Sequence, residues 1–188
     1  MINSSSIGDP TRFLTLGCLE EQLFQLPPTP RDRGVVTRIL VRHEGGVRQL
    51  LDTTELTVDG GLVGDSWGRD PQHDPQAQLA VMQEGVAQLI ANGQPPELAG
   101  DNLWLDLDLS AANLPPGSQL RAGTVLLEVT PLPHNGCSKF RARFGDGGLR
   151  LVAQPSTRPL NLRGIYLRVI ESGSVRVGDS VEVLSRPR

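Results

Sequence analysis

Several things are scarce in this sequence of 188 residues, and each scarcity removes options. The two cysteines, Cys18 and Cys137, are too few for a disulfide scaffold and lie far apart, which points to free thiols in a reducing cytoplasm. Aromatic residues make up 4%, so Leu, Val and Ile must do most of the packing. Of 18 basic residues only Lys139 is a lysine. That bias is most simply a mark of G+C-rich coding, but it draws attention to the one lysine, two residues after Cys137. No run of about 18 apolar residues exists, so a membrane-spanning helix is excluded. Met1–Ser6 lack the basic region and apolar stretch of a secretion signal. A net charge of −3 gives no field to steer the chain to nucleic acid or an anionic membrane.

What is present fits one domain with decoration, large enough to bury a core without cross-links. Gly (21) and Pro (15) are both high, which suits many short elements joined by tight turns. Residues 12–25 carry apolar groups at helical spacing and stop at Pro27-Pro28-Thr29-Pro30, with Asp9-Pro10 as the expected helix start. Cys18 falls among the apolar positions, where a buried, inert thiol is expected. From Gly34 the pattern turns to short β-like runs. These are Val35–Arg42 and Val47–Leu51 around a Gly45-Gly46 turn, then Glu55–Val58, Gln78–Met82, Leu103–Leu105, Gln119-Leu120 and Thr124–Thr130. The tail adds Leu149–Val152, Gly164–Ile170, Ser174–Val177 and Ser180–Leu184. Asp59–Gln76 reads as a long loop. Glu84–Ala91 reads as a short helix stopped by Asn92-Gly93, and Cys137–Phe144 as another stopped by Gly145. The chain is thus mainly β, a barrel or sandwich with a few short helices. It divides into an N-terminal helix and Pro-rich linker over 1–33 and a β domain over 34–188.

Four stretches carry chemistry. In Pro133-His134-Asn135-Gly136-Cys137-Ser138-Lys139-Phe140 a rigid corner leads to a tight turn and a helix start. Cys137 therefore meets unpaired amides and the positive helix end, with Lys139, Arg141 and Arg143 close by and His134 three residues upstream. Such a thiol suits a nucleophile, a metal ligand or a persulfide carrier, and His134 can cap, bond a carbonyl or ligate. A cysteine that only fills space under a turn is the alternative. Around Gly60-Gly61-Leu62-Val63-Gly64-Asp65-Ser66-Trp67-Gly68-Arg69, glycines let amides approach an anion and Arg69 can grip phosphate. The spacing is not that of a nucleotide motif, and a hairpin turn with Asp65 bonding its own backbone explains it equally. Asn102, in Leu98–Leu103, has donors and acceptors for a heterocycle edge or for closing a turn. Arg163, at a strand start, can reach an anion or lie in solvent.

These stretches, in this order, resemble the MOSC domain, named for the C-terminal domain of molybdenum cofactor sulfurases. Leu62-Val63-Gly64-Asp65 is similar to the family's GL-x-GD turn, Met82–Glu84 to a strand end where Glu is common, and Ala99-Gly100-Asp101-Asn102-Leu103 to its GEN turn. Leu114–Leu120 resembles the L-x-x-G-x-x-L run, and Leu127–Thr130 followed by Cys137 the defining strand and cysteine. Arg163–Val169 and Gly173–Val181 resemble the closing strands. The likeness spans about residues 34–184, and Pro-His-x-Gly-Cys-x-Lys-Phe resembles a bacterial stand-alone subgroup. It implies a β-barrel like that of the pyruvate kinase barrel domain. In relatives such as the amidoxime-reducing component and hydroxylaminopurine reductases, the equivalent cysteine ligates molybdenum. By resemblance, Cys137 would be the metal's sulfur ligand or a persulfide site, and Gly64, Asp65, Asn102 and Arg163 would line a pterin-phosphate pocket, with Arg69 and Lys139 as further cations.

The resulting expectation is a molybdenum-cofactor (molybdopterin) binding or sulfur-handling protein that reduces N-hydroxylated compounds. Its 188 residues include no second barrel, no aminotransferase-like domain and no iron–sulfur cysteines. An external electron or sulfur donor is therefore expected. Three alternatives stay open: a cofactor-free thiol enzyme or sulfur carrier with His134 as base, a metal-assisted hydrolase drawing on His134, Cys137, His73 and Asp74, and a non-catalytic binding module.

Overall fold

The computed structural model describes residues 2–3 and 7–187. Most of the stretch read above for a secretion signal, Met1 and Ser4–Ser6, lies outside them. Among the described residues twelve strands form: β1 (Ile2–Asn3), β2 (Arg33–Arg42), β3 (Val47–Leu51), β4 (Thr53–Thr57), β5 (Gly61–Leu62), β6 (Leu79–Gln83), β7 (Leu103–Asp106), β8 (Gln119–Ala122), β9 (Val125–Val129), β10 (Ile165–Glu171), β11 (Gly173–Arg176) and β12 (Ser180–Ser185). The helices are α1 (Leu16–Gln25), α2 (Glu84–Ala91) and α3 (Ser138–Ala153).

The main sheet runs β1-β3-β2-β12-β8-β9-β10-β6-β7, and β7 pairs again with β2. That last pairing closes seven strands, β2 to β7, into a barrel and removes the two open edges that such a sheet would otherwise present. Every barrel pairing is antiparallel except β6–β7, whose connection runs through α2. A small sheet, β11-β4-β5, packs at one end.

Period-two alternation explains why the barrel has two cores. Ile39 and Val41 of β2, Leu79 and Val81 of β6, and Leu103 and Leu105 of β7 point inward. Adjacent residues of the opposite parity, Leu40, Met82 and Trp104, point outward into a second cluster with Leu19, Val86, Ile90, Phe140, Phe144 and Leu151 from the three helices. These strands are buried on both faces and so read as continuous apolar runs in the sequence. Burying a Leu or Ile side chain contributes roughly 1.5–3 kcal/mol. Arg38 of β2 bonds Glu84 at the start of α2 (2.9 Å) and Glu97 (2.6 Å), fastening helix to strand.

Several local readings shift. Asp9 and Pro10 do start a helical turn, but it is a separate single turn over Pro10–Arg12. The α-helix begins at Leu16, with the Thr15 hydroxyl accepting from the Cys18 amide. Cys18 is half-buried, not enclosed, and its sulfur accepts from Gln22 Nε2 at 3.1 Å. The long loop at 59–76 contains β5 and short turns at Trp67–Arg69 and Pro75–Ala77. Leu149–Val152, read as a strand, is the second half of α3. Gly145 does break that helix (φ 76, ψ 178), but a further helical segment follows it to Ala153. A Cβ at Gly145 would sit 2.8 Å from the Phe13 ring, so the N-terminal segment packs directly against the break. A short apolar run cannot separate strand from buried helix by period alone, and here Leu151 and Val152 are claimed by the helical core. Among the described residues no helix is long and apolar enough to cross a membrane.

Candidate functional site

Strand β9 ends at Val129, and Thr130 donates its hydroxyl to the Gln76 carbonyl at 2.7 Å. The strap 131–136 then carries the chain to α3. Cys137 is the N-cap of α3, with extended backbone (φ −131, ψ 178), and its carbonyl accepts the Arg141 amide at 3.0 Å. The thiol does not cap the helix and is exposed. It therefore stands at the positive end of α3, available to a partner from outside.

The same region of the fold holds a buried cluster of charge, including Arg143, on which Cys137 acts electrostatically. Asp101 is fully buried and receives Arg163 Nη1 on both carboxylate oxygens, at 2.8 and 3.0 Å. The Arg163 guanidinium also lies 4.9 Å from the Phe140 ring centre, while its Nε is buried with no hydrogen-bond partner. The reading of Arg163 as a solvated side chain is thus corrected. Gly164, in the left-handed region (φ 101), explains the placement: a Cβ there would meet the Val81 carbonyl oxygen at 2.0 Å. Only glycine lets β10 start tight against β6 and drop Arg163 inward.

Two further arginines are buried nearby. Arg48 donates to the Leu98 carbonyl at 3.0 Å, and burial together with the neighbouring Arg143 brings its pKa down to about 10. Arg143 is also lowered by burial, against an opposing influence of Cys137 that raises it. Arg42 grips Asp65 at 2.7 Å and lies within electrostatic reach of His134. The cluster holds four arginines, Arg42, Arg48, Arg143 and Arg163, beside two buried carboxylates, Asp65 and Asp101. Burial works against the Asp65 charge, but Arg42 and the amides of Arg42 and Trp67 outweigh it and hold the carboxyl below the usual range.

His134 is almost wholly enclosed. Its ring stacks on Tyr166 at 4.3 Å, and Nδ1 lies 3.7 Å from Asp101. Burial, then the Arg163 charge, press its pKa down to about 3, so the imidazole is neutral and accepts a proton poorly.

The remaining candidates divide into buried and exposed residues. Asn102 is fully buried: its Oδ1 accepts the Ala80 amide (3.1 Å) and its Nδ2 donates to Asp65 (3.1 Å). Through this bond the turn at 99–103 and the loop at 62–69 meet, with Asp101 facing Arg163 on one side and Asn102 facing Asp65 on the other. Gly64 and Arg69 are exposed on that loop, where Arg69 donates to the Gly64 carbonyl at 2.9 Å. Lys139 is exposed in the first turn of α3, and Arg141 pairs with Asp146 at 3.2 Å. Sequence reasoning missed Arg42, Arg48 and Asp101 as site residues. Asp101 adjoins a residue that was singled out, but burial of the strand arginine Arg48 and the pairing of Arg42 with Asp65 have no local sequence signal. His73 stacks on Trp67 at 4.0 Å, and among the described residues no three His, Cys, Asp or Glu gather as a metal site. That leaves a metal-assisted hydrolase without a ligand set.

A closed barrel with buried arginines and an exposed cysteine at a helix start defines the class: a β-barrel domain with one exposed thiol. The family follows from comparison. The model of the MOSC domain matches residues 56–182, and the chain belongs to the MOSC domain family. Its fold is similar to that of the YuaD protein from Bacillus subtilis (18% identity, 85% of this chain and 100% of that one, TM-score 0.63). It is also similar to YiiM from Escherichia coli (24%, 82% and 71%, TM-score 0.56) and to a hypothetical protein of known crystal structure (22%, 83% and 70%, TM-score 0.61). No curated protein matches the chain.

Proposed function

We propose that this protein binds the molybdenum cofactor through its anionic pterin-phosphate and that Cys137 supplies a sulfur ligand. The observation that carries this reading is the buried cluster of guanidinium groups around Asp101, together with an exposed thiol near enough to act on Arg143. The residues fit such a group. Arg163 Nε is buried and unpartnered, and a phosphate oxygen would satisfy it. Arg48 and Arg143 would add charge on the same side. Asp65 and Asn102 position the wall, Gly64 and Arg69 form the rim, and Lys139 adds a surface cation. Cys137 is a soft donor, and one protein sulfur without companion ligands suits a metal already held by its own organic chelator. When bound, the cofactor supplies two-electron chemistry at molybdenum, which suits reduction of N-hydroxylated compounds by an external donor. His134 stays neutral and holds the strap in place. Free thiols at Cys18 and Cys137 agree with a reducing, cytoplasmic setting.

The test is expression in a host that makes the cofactor, followed by molybdenum and pterin assay of the purified protein. The wild type is expected to carry near-equimolar metal and Cys137→Ser at least about tenfold less. Absence of both molybdenum and pterin from the wild type would overturn the reading. A second reading, a cofactor-free sulfur carrier, is favoured by the exposure of Cys137 alone. It predicts a gain of one sulfur atom at Cys137 in the intact mass after treatment with a persulfide donor.

A further inference from the structure

Against the strap lies a recess of about 550 Å³, lined by none of the four cluster arginines. It opens between the strap and the turn that follows α3, and its floor is the start of β10. Five prolines line it (Pro116, Pro131, Pro133, Pro155 and Pro159), with Leu114, Leu132 and Ile165 among the apolar walls. Proline walls are stiff, so the space is preformed and little order is lost on filling it. The volume lies in the ordinary range for small-molecule sites.

Its polar groups are few, and most are occupied. The Thr130 hydroxyl is given to the Gln76 carbonyl, and Asn161 Nδ2 donates to the Leu109 carbonyl at 2.8 Å. His134, uncharged, forms part of the wall. The single charged lining residue is Arg158, which is exposed and makes one long bond (3.4 Å) to the Ala153 carbonyl. No acidic side chain lines the recess, and no carboxylate among the described residues pairs with Arg158. With so few free hydrogen-bonding groups, the recess is poorly suited to a heterocycle rich in donors and acceptors. It suits a flat apolar body carrying one negative charge.

We propose that this recess binds a small aromatic or alicyclic carboxylate, its ring against the proline walls and its carboxylate on Arg158. The strap is shared: His134 walls the recess and Cys137 follows three residues later, a span of at most about 11 Å. A ligand in the recess therefore lies near the thiol without using the arginine cluster. The site is separate from the cofactor reading, since its occupancy needs no molybdenum.

Titration calorimetry on the full chain, with 2-naphthoate and neutral 2-naphthamide as probes, tests this directly. Naphthoate is expected to bind in the micromolar to low millimolar range and naphthamide about tenfold more weakly or worse. Arg158→Gln is expected to weaken naphthoate about tenfold and bring the two probes level. Ala111→Trp, at an exposed lining position, is expected to fill the recess and abolish binding of both. Undetectable naphthoate binding, equal affinity for the two probes in the wild type, or unchanged binding in Ala111→Trp would each overturn the proposal. Molybdenum content enters none of these readings, so the two proposals fail separately.

Discussion

Nδ1 of His134 stands 3.7 Å from Oδ1 of Asp101, beyond hydrogen-bond length, and has no other partner although buried. The carboxylate is instead committed to Arg163, at 2.8 and 3.0 Å. A neutral imidazole is thus held beside a charged pair and pressed toward a pKa of about 3 by burial and then by that arginine.

This relationship sets an acid sensitivity. Between pH 6.5 and about 3 the unfolded chain takes up a proton at His134 that the folded chain refuses. Stability contributed by keeping the ring neutral is therefore full above pH 6.5 and declines as pH falls. The slope should approach about 1.4 kcal/mol per pH unit near pH 5. Urea unfolding across pH 5–7.5 should show the decline in the wild type and a flatter profile in His134→Gln. Asp65 and Glu84, whose carboxyls are also lowered, lose their contribution only further down, through the carboxylate range.

Removing one member of the Arg163–Asp101 pair leaves the other buried and uncompensated. Asp101→Asn is expected to cost about 3–5 kcal/mol, and Arg163→Met a similar amount. The double variant Asp101→Asn/Arg163→Met should lose less than the sum of the two. Chemical denaturation of all four proteins gives the coupling directly, and strict additivity would show that the pair is not acting as a unit.

Gly164 should tolerate no side chain. Gly164→Ala places a methyl group on the Val81 carbonyl in a conformation that L residues rarely adopt, and about 3 kcal/mol or more of stability should go with it. Because the same residue seats Arg163, any anion binding by the cluster should weaken alongside the melting temperature.

Cys137 is exposed, whereas Cys18 is half-buried with its sulfur engaged by Gln22. Iodoacetamide should therefore label Cys137 about ten times faster than Cys18 in the folded protein, with the difference lost in urea. Peptide mapping over a time course reads both rates at once.

How much of this was legible in the sequence depends on the range over which each signal acts. The β character, α2 with its Asn92 stop and the closing strands follow from period and turn chemistry within a few residues. The ordered motifs identified the family. The second half of α3 was missed because Leu149–Val152 satisfies either period, and only contact with α1 and α2 decides. Cys137 at a helix start was visible from Asn135-Gly136 and the cations beyond. The burial of Arg48 and Arg163 was not visible, because strand arginines are ordinarily solvated and their partners, Leu98 and Asp101, lie 50 and 62 residues away. Enclosure of His134 by Tyr166 and Asp101 is likewise a property of barrel closure, which no local window contains.

The arginine cluster has one more consequence. Guanidinium cannot shed its proton at any pH a cell reaches, and even Arg48, lowered by burial and then by Arg143, titrates only near 10. The cluster therefore keeps its positive charges fixed. Whatever acidity dependence its occupancy displays across the physiological range will be written by the visiting anion's own ionisation, so a binding curve against pH becomes a fingerprint of the guest.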